Sequence, residues 1–179
     1  MTTDTKERIE QKFLELLNEK PISQIDVKEI SREVGVNRNT FYYHYKNIPD
    51  LTESVVKGLV DEILAKYPPR FDTLEECFMA AIRIARENKR IIDHIYHSAN
   101  RAIFERHLWH ICEYSMTEFV DSFPQDEYMF SEEERQIVKD FLKFECFGFA
   151  LDWINNGMPG DVGEKVRKLV MLLARGEVG

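Results

Sequence analysis

The sequence predicts an all-α protein, and three observations carry that prediction. Apolar residues recur three and four apart along most of the 179 residues. No Val- or Thr-rich run alternates apolar and polar residues as a half-buried strand does. Asp, Asn, Ser, Gly and Pro bound the periodic segments as helix start and stop signals. About nine helices are expected: three in a small N-terminal domain, the rest in a larger helical C-terminal part.

Ile9, Phe13, Leu16 and Leu17 give the first helix one apolar face. It stops before Pro21, and Ile22 and Ile25 close over the same small core. Val27, Ile30 and Val34 mark a short second helix, opened by Asp26 with Glu29 three residues on, a capping-box arrangement. Gly35 supplies the left-handed residue that ends it, and Asn37 caps a third helix beginning at Arg38. Two short helices across a tight turn containing glycine form a helix-turn-helix, whose second helix enters the DNA major groove. Phe41 and Tyr45, four apart, should turn inward as core. Arg38, Asn39, Thr40, Tyr42 and Tyr43 should then face out. Arg38 can pair with guanine O6/N7 and Asn39 with adenine N6/N7, each through two hydrogen bonds. Tyr43 suits a thymine methyl or a phosphate. The plainer alternative leaves Arg38 and Asn39 as solvated first-turn residues.

The run Gly35-Val36-Asn37-Arg38-Asn39-Thr40-Phe41-Tyr42-Tyr43-His44-Tyr45-Lys46, followed by Asp50-Leu51, resembles the DNA-binding domain of the TetR family of bacterial transcriptional regulators. The resemblance implies that Thr40, Tyr42, His44 and Lys46 grip backbone phosphates, contacts that fix register without reading sequence. It also implies a domain boundary: residues 1–48 bind DNA, and residues 49–179 bind a ligand and dimerise, with 49–67 as the connecting helix. One position departs from the pattern. Many members cap the second helix with Thr or Ser, whereas this chain has Asp26, which caps well but repels phosphate. Lys28, just inside that helix, is expected to compensate.

Composition sets the remaining bounds. A chain that is 44% hydrophobic and 12% aromatic can bury a real core. No apolar run approaches the roughly 18 residues of a membrane span, and Met1-Thr2-Thr3-Asp4 lacks a signal-peptide layout. Cys77, Cys112 and Cys146 are few, odd in number and far apart, which reads as reduced thiols in a cytoplasmic protein. Up to Lys57, nine basic residues meet ten acidic ones, a balance of −1, so the remainder carries −7 of the total −8. The DNA-binding part is thus not basic, and its affinity should be modest and strongly salt-sensitive.

Pro49 pre-sets the first turn of a helix to about Lys66, ended by Tyr67-Pro68-Pro69. Asp72 or Thr73 starts the next, with Leu74, Phe78, Ile82 and Ala85 on one side. Ile91, Ile92 and Ile95 make a short helix, and a longer one runs from about Arg101 to Phe123. Ser131 and Glu134 form a capping box for a helix with two apolar rows. One row holds Ile137, Phe141, Phe144 and Leu151, and the other Val138, Leu142, Phe149 and Trp153. A last helix carries Val166, Leu169, Val170, Leu172 and Leu173. A helix apolar on two sides must be covered from two sides. A homodimer is therefore expected through Val138, Leu142, Phe149, Trp153, Val166, Leu169, Val170 and Leu173, in agreement with the dimer interface of the TetR resemblance. The run from Phe144 to Met158 is more loosely similar to a TetR subgroup that includes the dihydroxyacetone-kinase-operon activators, which act partly through a protein partner.

Aromatic and thioether side chains suit an apolar effector site between helices, with Phe78, Met79, Tyr96, Trp109, Tyr114, Phe141 and Phe144 as its candidates. His94 with His97, and His107 with His110, sit three apart, but no cysteine accompanies them, and neither a metal nor another cofactor is expected. No Gly-rich phosphate loop or catalytic carboxylate pair stands out, so no enzyme is expected. Two function classes follow: a dimeric regulator of a pseudo-palindromic operator, most simply a repressor released by a small molecule, or a TetR-like protein-interaction module with little DNA binding of its own.

Overall fold

The computed structural model describes residues 2–66, 73–122 and 131–174. Among the described residues there are nine α-helices and no strand. They are α1 (Thr2–Glu19), α2 (Val27–Val34), α3 (Arg38–His44), α4 (Ile48–Lys66), α5 (Leu74–Glu87), α6 (Lys89–Tyr96), α7 (Arg101–Asp121), α8 (Glu132–Asn155) and α9 (Val162–Ala174). A single 3₁₀ turn, Ile22–Gln24, follows α1. The expected helix ends at Tyr67-Pro68-Pro69, Asp72 and Phe123 lie outside the described residues. Packing divides the chain into two compact units, Met1–Ile63 with Arg90–His107 and Leu64–Lys89 with Leu108–Gly179.

The first unit is built on the apolar face of α1. Ile9, Phe13, Leu16 and Leu17 are buried with Ile22, Ile25, Ile30, Val34, Phe41 and Tyr45. Leu51, Val55 and Val56 of α4 and Ile95 of α6 complete this core, and Ile91, Ile103 and Phe104 pack against it. Long-range polar contacts brace the same helices. The guanidinium of Arg8 donates to the Val34 carbonyl, which the end of α2 leaves free. Lys20 Nζ lies 2.6 Å from both Glu29 carboxylate oxygens. The pairing corrects the capping-box expectation at α2: Asp26 accepts the Glu29 N–H, but the Glu29 side chain turns to Lys20 instead of closing the box. On α6, His94 Nδ1 lies 2.6 Å from the Leu17 carbonyl oxygen, and on α7 both Arg106 and His107 meet Glu53 of α4.

In the second unit Ser131 and Glu134 form the complete capping box that opens α8. Trp109 of α7 meets Phe144 of α8 at a tilt and Phe147 edge-on, each with ring centroids 5.2 Å away. Phe78 of α5 meets Phe149 edge-on at 5.7 Å. Helix α9 lies close on α5: a Cβ at Gly163 would sit 3.2 Å from Met79 Sδ and Cε, so glycine permits the approach. The turn between α8 and α9 holds Gly157 and Met158 at φ of 75° and 56°, with Met158 buried. Lys89, Trp153 and Arg86 donate to the carbonyls of Gly157, Pro159 and Gly160 in that turn, at 2.7, 3.1 and 2.9 Å.

Burial reassigns the apolar rows of α8. Trp153 and Val166, expected at a dimer interface, are buried inside their own unit. Val138, Leu142 and Phe149 are half-buried. The outward row is the other one, with Ile137 at 61%, Phe141 at 66% and Phe144 at 61% exposure. Phe141 and Phe144, expected in an effector pocket, therefore face outward in the single chain. Leu169 of α9 is exposed, as are Met171 and Leu172. The side chains of Val170 and Leu173 lie outside the description.

Two stability predictions follow. Gly35 takes φ +75°, a conformation an L side chain adopts only with strain, so although nothing lies within 4 Å of an added Cβ, Gly35→Ala should cost about 1 kcal/mol in urea unfolding. Burial, with the Glu10 carboxylate beside it, raises the Tyr45 phenol above its ordinary value of 10.0. The unfolded chain then loses that proton first, so stability is intact below about pH 10 and falls as pH rises further. In urea titrations Tyr45→Phe should start less stable and decline less steeply above that pH.

Candidate nucleic-acid interface

The interface begins at two caps. Asp26 Oδ1 accepts the Glu29 N–H at 2.8 Å and starts α2, while Gly35 in the left-handed conformation ends it, with the Val36 N–H returning to the Ser31 carbonyl at 2.9 Å. Asn37 Oδ1 then accepts the Thr40 N–H at 2.8 Å and the Thr40 hydroxyl at 3.1 Å. Cap, turn and cap set the entry angle of α3.

Rotation about the α3 axis is fixed by two aromatic anchors. Phe41 is fully buried and Tyr45 nearly so, their ring centroids 5.9 Å apart. Tyr45 donates to Glu10 Oε1 at 2.5 Å, and Ser54 of α4 donates to the same oxygen at 2.8 Å. With Phe41 and Tyr45 inside, the positions between them turn out. Arg38 and Asn39 are exposed, Tyr42 is 54% exposed and Tyr43 75%, and Thr40 and His44 are half-buried. Arg38 with Tyr42 and Asn39 with Tyr43 are each four apart, forming two adjacent outward rows. Tyr43 and His44 touch edge-on at 5.0 Å. Lys46, just beyond the helix, is exposed, as is Lys28 in the first turn of α2. All eight residues expected to contact DNA thus lie in or beside α2 and α3, six of them exposed and Thr40 and His44 half-buried.

The effector candidates are less closely grouped. Phe78, Met79, Trp109, Tyr114, Phe141 and Phe144 belong to the second unit, whereas Tyr96 is buried in the first, edge-on to Phe104 at 5.9 Å and under the Arg101 guanidinium at 4.2 Å. Three of the histidines have other partners: His94 the Leu17 carbonyl, His97 the Asp93 carboxylate at 3.7 Å, and His107 Glu53 at 2.8 Å. Among the described residues no group of three or more His, Cys, Asp or Glu is placed to hold a metal ion. Cys77 and Cys112 are buried, and burial pushes the Cys77 thiol up to about 12. The contacts that sequence reading missed join residues far apart in the chain: Arg8 to Val34, Glu10 to Tyr45 and Ser54, and His94 to Leu17. No local pattern announces them.

No helix among the described residues is long and apolar enough to cross a membrane. Residues 14–55 match the family model for bacterial regulatory proteins of the tetR family. Residues 72–175, more than half of the chain, match a transcriptional regulator C-terminal region. The chain is also similar to HTH-type transcriptional regulators of Staphylococcus aureus, among them those of strains USA300, N315 and COL. Each is 19% identical over 156 residues, which cover 83% of both chains. With an outward recognition helix in its first unit and both parts of its length matched, the chain belongs to the TetR family of DNA-binding transcriptional regulators.

Proposed function

We propose that the protein is a cytoplasmic homodimeric repressor that binds a pseudo-palindromic operator and is released by a small-molecule effector. The observation that carries the DNA half is the outward pairing of Arg38 with Tyr42 and Asn39 with Tyr43 on a helix whose opposite side is buried. Arg38 and Asn39 read base edges in the major groove. Lys28, Thr40, Tyr42, His44 and Lys46 hold phosphates, and Tyr43 packs on a thymine methyl or a phosphate. Residues 1–48 serve as the reading head and residues 49–179 as the effector and dimer part.

The dimer half is supported by the apolar row Ile137, Phe141 and Phe144 on α8, with Leu169, Met171 and Leu172 on α9, all exposed in the single chain. Large aromatic side chains in such a row are unfavourable in water and favour burial against a second copy. Two-fold pairing presents two α3 helices to half-sites about 34 Å apart, one turn of the duplex. Phe78, Met79, Trp109 and Tyr114 remain as the apolar side chains suited to an effector within the second unit.

A gel shift against the DNA upstream of the protein's own gene tests the reading. Specific, salt-sensitive binding that is lost in the double variant Thr40→Ala plus Tyr42→Ala is expected. Absence of binding at low salt would favour a protein-interaction module instead. Arg38→Ala should cost about 1–3 kcal/mol on the true site and relax specificity at one base pair. Phe141→Glu plus Phe144→Glu should yield a folded monomer in size-exclusion chromatography with light scattering; an unchanged dimer would remove this row from the interface.

A further inference from the structure

A helix can read base edges only if its rotation about its own axis is fixed, because hydrogen bonds to bases are directional. Two inward side chains hold α3. Phe41 is fully buried among apolar neighbours, a contact that resists exposure but has no preferred direction. Tyr45 is nearly as buried, yet it ends in a hydroxyl that donates to Glu10 Oε1 at 2.5 Å. Of the two, only this bond is directional. Glu10 stands on α1 between Ile9 and Phe13, both fully buried, so the helix that carries it is part of the core. Its side chain is half-buried. Ser54 of α4 donates to the same Glu10 oxygen at 2.8 Å, and Lys6, one turn earlier on α1, lies 3.8 Å from it. A single carboxylate oxygen, braced from its own helix and from α4, thus meets the end of α3.

We propose that Glu10 is a positioning residue for operator recognition: through the Tyr45 hydroxyl it sets the rotation of α3, and with it the aim of Arg38 and Asn39 at base edges. The inference rests on the DNA-binding reading above and adds to it a residue outside α2 and α3. Without an acceptor at position 10 the Tyr45 hydroxyl is left buried and unpaired, an arrangement folded proteins avoid. The ring then turns until its hydroxyl reaches water, and the end of α3 turns with it. A rotated α3 misaligns the bidentate base contacts, which only the operator offers. Phosphate contacts from long, flexible side chains such as Lys28 and Lys46 tolerate the shift, and they act on any duplex. The loss therefore falls on the operator and spares random sequence.

The test compares Glu10→Met with Glu10→Gln in the full chain. Both replacements are uncharged, similar in length and alike in helix propensity, and only glutamine keeps a strong acceptor oxygen. The lost charge therefore alters DNA affinity equally in both. Fluorescence anisotropy measures binding to a random-sequence duplex and to the tightest duplex selected in vitro by the wild type. The temperature is one at which thermal melting shows every variant folded. Glu10→Met is expected to bind the selected duplex on the order of tenfold more weakly than Glu10→Gln, with random duplex bound equally by both. Tyr45→Phe, which removes the donor, should weaken selected-duplex binding in the wild type but cost Glu10→Met no further affinity, the signature of a shared interaction. Should Glu10→Met not fold, Tyr45→Phe against wild type carries the same comparison of duplexes. Folded variants that keep full affinity for the selected duplex overturn the proposal. So does an equal loss on both duplexes, or a further loss on combining the two changes. If the wild type binds no DNA even at low salt, the DNA-binding reading falls and takes this proposal with it. Selective wild-type binding that the substitutions leave untouched sinks the proposal alone.

Discussion

The burial of Phe41 and Tyr45 is the constraint on which the rest of the first unit depends. A seven-residue helix has too few internal hydrogen bonds to hold its own shape in water. It persists because one side of it is core, covered by α1 and α4, and because Asn37 ties down its first turn. Once that side is fixed, the direction of every other side chain on α3 follows from the helical repeat. The chemistry that α3 presents outward is thus decided by the residues on its buried side.

Much of this was legible in the sequence because its determinants are local. Asp26, Gly35 and Asn37 signal their caps within three residues, and the apolar spacing of Ile9, Phe13 and Leu17 signals a buried face. The Glu29 side chain was misassigned for a non-local reason: Lys20, nine positions earlier in sequence, competes for it across the α1–α2 corner. An ammonium facing both carboxylate oxygens at 2.6 Å outweighs a single carboxylate bond to a backbone N–H.

The second unit was harder to read, and α8 shows why. Apolar residues lie on most of its circumference, so periodicity identifies several candidate faces without saying which of them the chain itself covers. Trp153 is claimed by the turn before α9 through its bond to the Pro159 carbonyl. Phe149 is claimed by Phe78. What remains largely exposed is the row of Ile137, Phe141 and Phe144, the last touching Trp109 on one side, and only the packed structure singles it out. Aromatic content alone likewise suggested one apolar site, but Tyr96 is committed to a different core from Phe78 and Trp109.

The Glu10 carboxylate gathers Tyr45 and Ser54, joining α1 to the end of α3 and to α4. Together with Asn37 and Phe41, this assigns the holding of α3 to side chains distinct from Arg38, Asn39 and Tyr43. A scaffold so partitioned is well suited to redesign: the three outward positions proposed to read DNA can be randomised as a library for new operators while the framework that presents them stays untouched.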